Sequence, residues 1–173
     1  KKIELTRMAF RQKVLESDFC AAQAAQIIRH VQASTLPFDR TMKISTSEQS
    51  AKKTIIERLP GNLDTIDKLL ELNQNDWTRM NEGRVAAAIR EECRRRIIGR
   101  RRKIAKLLEE LSLRTSRIQP LMKKLIGLYK KMRDLETRVA REEKRLTILP
   151  EDLQVLREEL AGISQEHEQA IRD

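Results

Sequence analysis

Between Ile118 and Leu149 nine apolar residues fall on two positions of a seven-residue repeat. Ile118, Leu125, Met132, Val139 and Leu146 occupy one, and Leu121, Leu128, Leu135 and Leu149 the other, with Glu142 as the interruption. A seam of this period makes a helix that is stable when another helix covers it along its length. A candidate cover follows at once: residues 147–152 read as a helix stop and a new start, with Pro150 at the first helical position and Glu151 and Asp152 in the first turn. Leu153, Leu156, Leu160 and Ile163 then form a last stripe. Two arrangements fit, an antiparallel hairpin or a single helix kinked at Pro150, and the hairpin is expected because its two stripes bury each other.

Composition extends this to the whole chain. Aromatic residues make up 3% of it, so a core must come from Leu, Ile, Val, Met and Ala, which suit helix packing better than a sandwich of strands. Five Gly and four Pro leave little turn material for a many-stranded fold. The expected class is all-α: a multi-helix bundle with a long antiparallel helical hairpin, or coiled-coil-like arm.

Along the chain, residues 1–16 carry Ile3, Leu5, Met8, Val14 and Leu15 at mostly helical spacing, and Ser17-Asp18 offers an N-cap for a second helix to about Ala33. Residues 34–46 read as a loop, because Pro37 pushes Leu36 out of the helical region. Ser47 is placed to cap a short helix through Leu59, which Pro60-Gly61 should break. Asn62 would start the next helix, with Leu63, Ile66, Leu69 and Leu70 as its stripe, and Asn73 and Asn75 would end it. One more turn before Asn81 would set Trp77 into the core as a packing residue. The expected organisation is 1–33, 34–83 as a short-helix connection, and 84–173 as long helices.

Charge is placed unevenly on this frame. Residues 84–133 hold seventeen basic and four acidic side chains, a net of +13, against +10 for the whole chain, +2 for the residues before and −5 for those after. Such a block attracts phosphate or an acidic protein surface, although a basic helix face can also be simply solvated. Its helix, about 84–111, has the stripe Val85, Ile89, Cys93, Ile97, Ile104, Leu108 and Leu111. Arg101 stands where an apolar residue should be buried. Three explanations fit: a bend at Gly99, a carboxylate or partner paired with Arg101, or a stem that snorkels to solvent. The candidate contacts to a polyanion or acidic partner are Arg94, Arg95, Arg96, Arg100, Arg101, Arg102 and Lys103.

Catalytic chemistry is not expected. There is no glycine-rich phosphate loop, no GxSxG and no pair of histidines at metal spacing, and His30 has no ligand neighbour at three or four residues. The adjacent Glu pairs at 91–92, 109–110, 142–143 and 158–159 diverge on helices and suit bridges such as Glu91 with Arg95 and Glu92 with Arg96. Cys20 and Cys93 stand 73 positions apart without a CxxC, which suits free thiols in a reducing cytoplasm. No apolar run approaches the roughly 18 residues of a membrane span. No enzyme, cofactor, metal or small-molecule substrate is expected, and the start at Lys1 suggests a piece of a longer protein.

Five runs in order carry a family resemblance: Lys1-Lys2-Ile3-Glu4-Leu5-Thr6-Arg7, Val14-Leu15-Glu16-Ser17-Asp18-Phe19, Leu36-Pro37-Phe38-Asp39-Arg40-Thr41-Met42-Lys43-Ile44-Ser45, Arg58-Leu59-Pro60-Gly61-Asn62-Leu63 and Glu109-Glu110-Leu111-Ser112-Leu113-Arg114-Thr115. Together they resemble the stretch of bacterial housekeeping sigma factors between the first and second conserved regions, the non-conserved insertion. The resemblance implies that 1–33 is the helical end of the first conserved region, which in the family lies near the discriminator DNA. The remainder would be a helical module able to touch the β′ subunit of core RNA polymerase, with promoter DNA as a partner through the full-length parent. The motifs that melt promoter DNA and read its −10 and −35 elements are not in this sequence.

Two other functions compete with a sigma-factor module: an autonomous helical protein that clamps phosphates without regard to sequence, and a coiled-coil adaptor.

Overall fold

The computed structural model describes residues 2–44, 49–83, 85–145, 151 and 154–162, and divides into two compact units, Lys1–Leu121 and Met122–Asp173. The chain is all-α, with helices α1 (Lys2–Leu15), α2 (Asp18–Gln32), α3 (Phe38–Thr41), α4 (Gln49–Asn81), α5 (Ala87–Glu110) and α6 (Thr115–Arg145), followed by a helical stretch, α7, over 154–162.

In the first unit α4 and α5 pair antiparallel. Asn62 Nδ2 donates to the Leu107 carbonyl at 3.3 Å near one end of the pair, and Asp76 meets Arg96 and Arg100 near the other. α2 packs on both of these helices and α1 on α5 and α2. Four small residues, Cys20, Ala21, Ala24 and Ala25, make up most of the buried face of α2. Side chains this short let neighbouring backbones approach closely. Ser17 caps the helix, its hydroxyl accepting from the Cys20 amide at 3.4 Å.

α4 runs unbroken through Pro60-Gly61 and past Asn73 and Asn75, where the sequence predicts a break and an end. Ile55, Leu59, Leu63 and Ile66 are all buried on one face, and both Pro60 and Gly61 lie on the exposed one. A proline inside a helix costs about 3 kcal/mol, whereas each buried Leu or Ile contributes about 1.5–3 kcal/mol. Keeping the stripe in register therefore outweighs the break. Asn73 is fully buried and serves as a hydrogen-bonding partner inside the unit.

The segment read as a loop from 34 holds one helical turn, α3, which follows Pro37 in extended conformation. Just before it the chain turns at Ser34, with φ +59°, and the amides of Thr35 and Leu36 donate to the His30 carbonyl at 2.9 and 3.0 Å. His30 Nδ1 lies 3.0 Å from Thr35 Oγ1, so this histidine helps hold the turn. Beyond α3, Met42 and Leu113 form an isolated antiparallel bridge. The Lys43 amide donates to the Ser112 carbonyl at 2.6 Å and the Arg114 amide to the Thr41 carbonyl at 2.9 Å.

In the second unit Met132, Leu135 and Val139 are buried along the heptad seam, and Leu125 and Leu128 are half-buried. Lys131 reaches Glu159 at 2.8 Å, and Arg157 pairs with Glu143. A continuous helix would separate residues 131 and 159 by about 42 Å at 1.5 Å per residue. α7 therefore folds back along α6, and the antiparallel hairpin replaces the kinked helix. The Ser47 cap, the stop at 147–150, and Leu146, Leu149, Leu153 and Ile163 lie outside the described residues. α5 starts at Ala87 after an extended Ala86, so Val85 lies outside the helix expected from about Arg84.

The continuity of α4 has a direct test. Gly61 is exposed, and a Cβ there would meet nothing within 4 Å, so Gly61→Ala should stabilise the chain by about 0.5–1 kcal/mol in urea unfolding. A loss of stability would place a break at this position.

Candidate functional site

The nine basic residues of α5 lie around its whole circumference, and acidic partners on other helices determine which of them turn inward. Arg101 is 6% exposed, and its Nε donates to Asp18 Oδ2 at 3.1 Å. The other Asp18 oxygen accepts from Asn73 Nδ2 at 2.8 Å. Asn73 Oδ1 accepts in turn from Arg100 Nη1 at 3.3 Å, which also donates to Asp76 Oδ2 at 2.7 Å. Asp76 Oδ1 accepts from Arg96 Nη2 at 2.8 Å. The result is a network from α2 through α4 to α5: Asp18, Arg101, Asn73, Arg100, Asp76 and Arg96.

The carboxylates in this network respond differently to their surroundings. Burial pushes the Asp18 carboxyl above its ordinary range, ahead of the lowering by the Arg101 charge and the Asn73 hydrogen bond. Burial also works to raise Asp76, but the hydrogen bond and charge of Arg100, joined by Arg96, outweigh it and hold that carboxyl below its ordinary range. Asp76 thus favours its ionised form in the folded chain, and Asp18 is the member that burial strains.

A second cluster fastens the far end of α5. Arg11, 8% exposed, forms a fork on Glu109, Nε to Oε1 at 3.0 Å and Nη2 to Oε2 at 3.1 Å. It also donates to Thr115 Oγ1 at 2.7 Å and to the Leu113 carbonyl at 2.9 Å. Nothing in the apolar spacing of α1 singles out Arg11. Its place one turn before Val14-Leu15, the buried end of α1, is the one signal the sequence offers, since Met8 is exposed.

The seven candidate contact residues therefore divide. Arg96, Arg100 and Arg101 are engaged by the chain's own carboxylates, and Arg101 takes the carboxylate-pairing explanation of its anomalous position. Arg94 is exposed and lies 3.9 Å from Glu91, which pairs at i+3 in place of the expected Glu91–Arg95 bridge, while Glu92 and Arg96 do pair, at 3.2 Å. Arg95, Arg102 and Lys103 are exposed, and no ion pair is found for them among the described residues. Lys106, outside the original seven, joins them one turn further along. Together Arg95, Arg102, Lys103 and Lys106 make an outward stripe at i, i+7, i+8 and i+11, about 16 Å long. Trp77 is half-buried and packs with Ile89 on Met80, Cys93 and Ile97. Cys20 and Cys93 are both buried, free thiols. Among the described residues no group of His, Cys, Asp and Glu is placed to hold a metal ion, and no helix is long and apolar enough to cross a membrane.

Comparisons with family models, with curated proteins and with solved structures find no match to this chain.

Two outcomes follow from the network. Arg101→Ala leaves Asp18 buried without its main countercharge and should cost about 3–5 kcal/mol in urea unfolding, whereas Arg102→Ala should stay within about 0.5 kcal/mol of the parent. Because the Asp76 pKa is depressed in the fold, its contribution is present above the unfolded value of about 3.9 and is lost as pH falls through the folded value. Melting temperature should therefore drop on acidification below about pH 4, and Asp76→Asn should shrink that drop while lowering stability at neutral pH.

Proposed function

We propose that this chain is a helical module of a bacterial sigma factor that acts in transcription initiation. On this reading the outward stripe Arg95, Arg102, Lys103 and Lys106 meets an acidic surface of core RNA polymerase, on the β′ subunit, in the cytoplasm. The observation that carries the reading is the stripe itself: four cations on one exposed face of a helix whose inward arginines are already neutralised. Cations held this way are available to a partner, and because the helix is fastened at both ends they meet it in a fixed arrangement.

The family resemblance supports the same reading through the fold. Two of its five runs, around Thr41–Lys43 and Ser112–Arg114, are hydrogen-bonded to each other. A third, around Asp18, supplies the carboxylate that pairs with Arg101. The runs thus fall at positions the packing depends on, which is where a shared fold would restrict the sequence. No catalytic step, metal or cofactor enters this function.

The stripe also favours a second reading. Four cations over about 16 Å suit several successive phosphates of a duplex, a contact that would be blind to sequence.

Titration of the chain against core RNA polymerase and, separately, against an arbitrary duplex at low and physiological salt distinguishes the two. The sigma-module reading expects saturable polymerase binding that survives physiological salt. It also expects a loss of about tenfold or more with Arg95→Glu, Arg102→Glu and Lys103→Glu combined, at unchanged helical content. Tight, steeply salt-dependent duplex binding without polymerase binding would overturn it in favour of the phosphate clamp.

A further inference from the structure

α6 carries a second seam that the hairpin does not use. Within the second unit, Met122, Ile126, Tyr129, Arg133, Glu136 and Ala140 follow one another at alternating steps of four and three residues, about a quarter-turn of the helix away from the buried Met132, Leu135 and Val139. Ile126 and Tyr129 are 43% and 45% exposed, large apolar side chains side by side on this line. Tyr129 is the one tyrosine of the chain. Towards the C-terminal end of α6 the seam opens into a shallow depression lined by Arg133, Glu136, Thr137, Ala140 and Arg141.

The charge beside this seam is mainly basic, with Asp134 the acidic residue on its rim. Lys123 and Lys130, seven residues apart, are exposed on one rim, and Arg133 and Arg141 continue the basic edge. The carboxylate on the line, Glu136, is already engaged by Arg133 at 2.9 Å. Apolar side chains in the middle with cations along the rim are what an amphipathic helix bearing acidic flanking positions would complement. Its apolar positions would cover Ile126 and Tyr129, and its carboxylates would face Lys123, Lys130 and Arg141. Duplex phosphates would use the cations and leave the isoleucine wet. A lipid surface calls for a broader apolar face than one seam offers.

We propose that the Met122–Ala140 face of α6 docks an acidic amphipathic helix of a partner protein. This surface lies in the second unit and is independent of the α5 stripe, so it stands or falls apart from the polymerase reading. Docking places the partner's apolar residues against Ile126 and Tyr129, and the lysine rim sets its direction along α6.

The test uses the full chain and a labelled synthetic 21-residue helical peptide with Leu at the two seam positions and Glu at the flanking positions, followed by fluorescence anisotropy. Saturable binding is expected, weakened about tenfold or more by Ile126→Ser with Tyr129→Ser and by Lys123→Glu with Lys130→Glu, and unchanged by Arg95→Glu with Arg102→Glu. Circular dichroism of each variant should match the parent, since all four of the substituted α6 side chains are exposed. Parallel arms measure binding to phosphatidylserine vesicles and to a duplex, and self-association by sedimentation. Peptide binding indifferent to both α6 pairs of substitutions would overturn the proposal. So would vesicle, duplex or self-association that needs Ile126 and Tyr129 while the peptide fails to bind.

Discussion

The contact between Arg101 and Asp18 sets how α5 is rotated in the bundle. An arginine at 6% exposure is stable where a carboxylate meets it, and Asp18, held at the start of α2 by the Ser17 cap, meets it at 3.1 Å. A buried ion pair adds little net stability over a well-packed apolar pair, because desolvating both ions offsets most of their attraction. What it contributes is selection. Turning α5 by one residue would bury a different arginine with no carboxylate opposite, a cost of several kcal/mol. With Arg101 facing inward, Arg96 and Arg100 fall on Asp76, and Arg95, Arg102, Lys103 and Lys106 face outward. The external surface on which the functional reading rests is thus a consequence of an internal pairing.

The unbroken course of α4 makes that pairing available. Asn73 and Asp76 follow Leu59, Leu63 and Ile66 on the same buried face, so their positions opposite α5 depend on a helix that stays in register through Pro60-Gly61. A break there would free the second half of α4 to turn. Asp76 would then be no more constrained to meet Arg96 and Arg100 than any surface carboxylate. The apolar stripe and the polar network are therefore parts of one arrangement, the first holding the register and the second using it. Arg11 on Glu109 and Asn62 on the Leu107 carbonyl do the same near the C-terminal end of α5.

Apolar periodicity made most of the helical content legible in the sequence. The heptad of α6, the Ser17 cap and the C-terminal end of α5 all follow from spacing and end signals, and the fold-back of α7 follows from the need to cover a seam. Pro60-Gly61 reads as a break in the sequence because local propensity carries no trace of the four buried side chains that override it. Asn73 misled in the same way, since an asparagine that ends a helix and one that is buried in a network look alike in sequence. For the candidate site, Arg101 was visible as a charge in an apolar position, but its partner lies 83 residues away and no local rule names it. Which arginines of the run face outward could not be read from a block of like charge. Periodicity reports where apolar residues point, whereas the inward arginines are chosen by acids on other helices.

A double-mutant cycle on Asp18 and Arg101 measures whether this pair holds α5 in place. Asp18→Asn, Arg101→Met and the pair together, each unfolded in urea, isolate the coupling between the two side chains from their separate effects. A coupling of about 2 kcal/mol or more is expected, with the double variant less destabilised than the sum of the single ones. Additive single effects, with coupling near zero, would contradict it: Arg101 would then not be held by Asp18, and the outward stripe would lose the internal pairing that positions it.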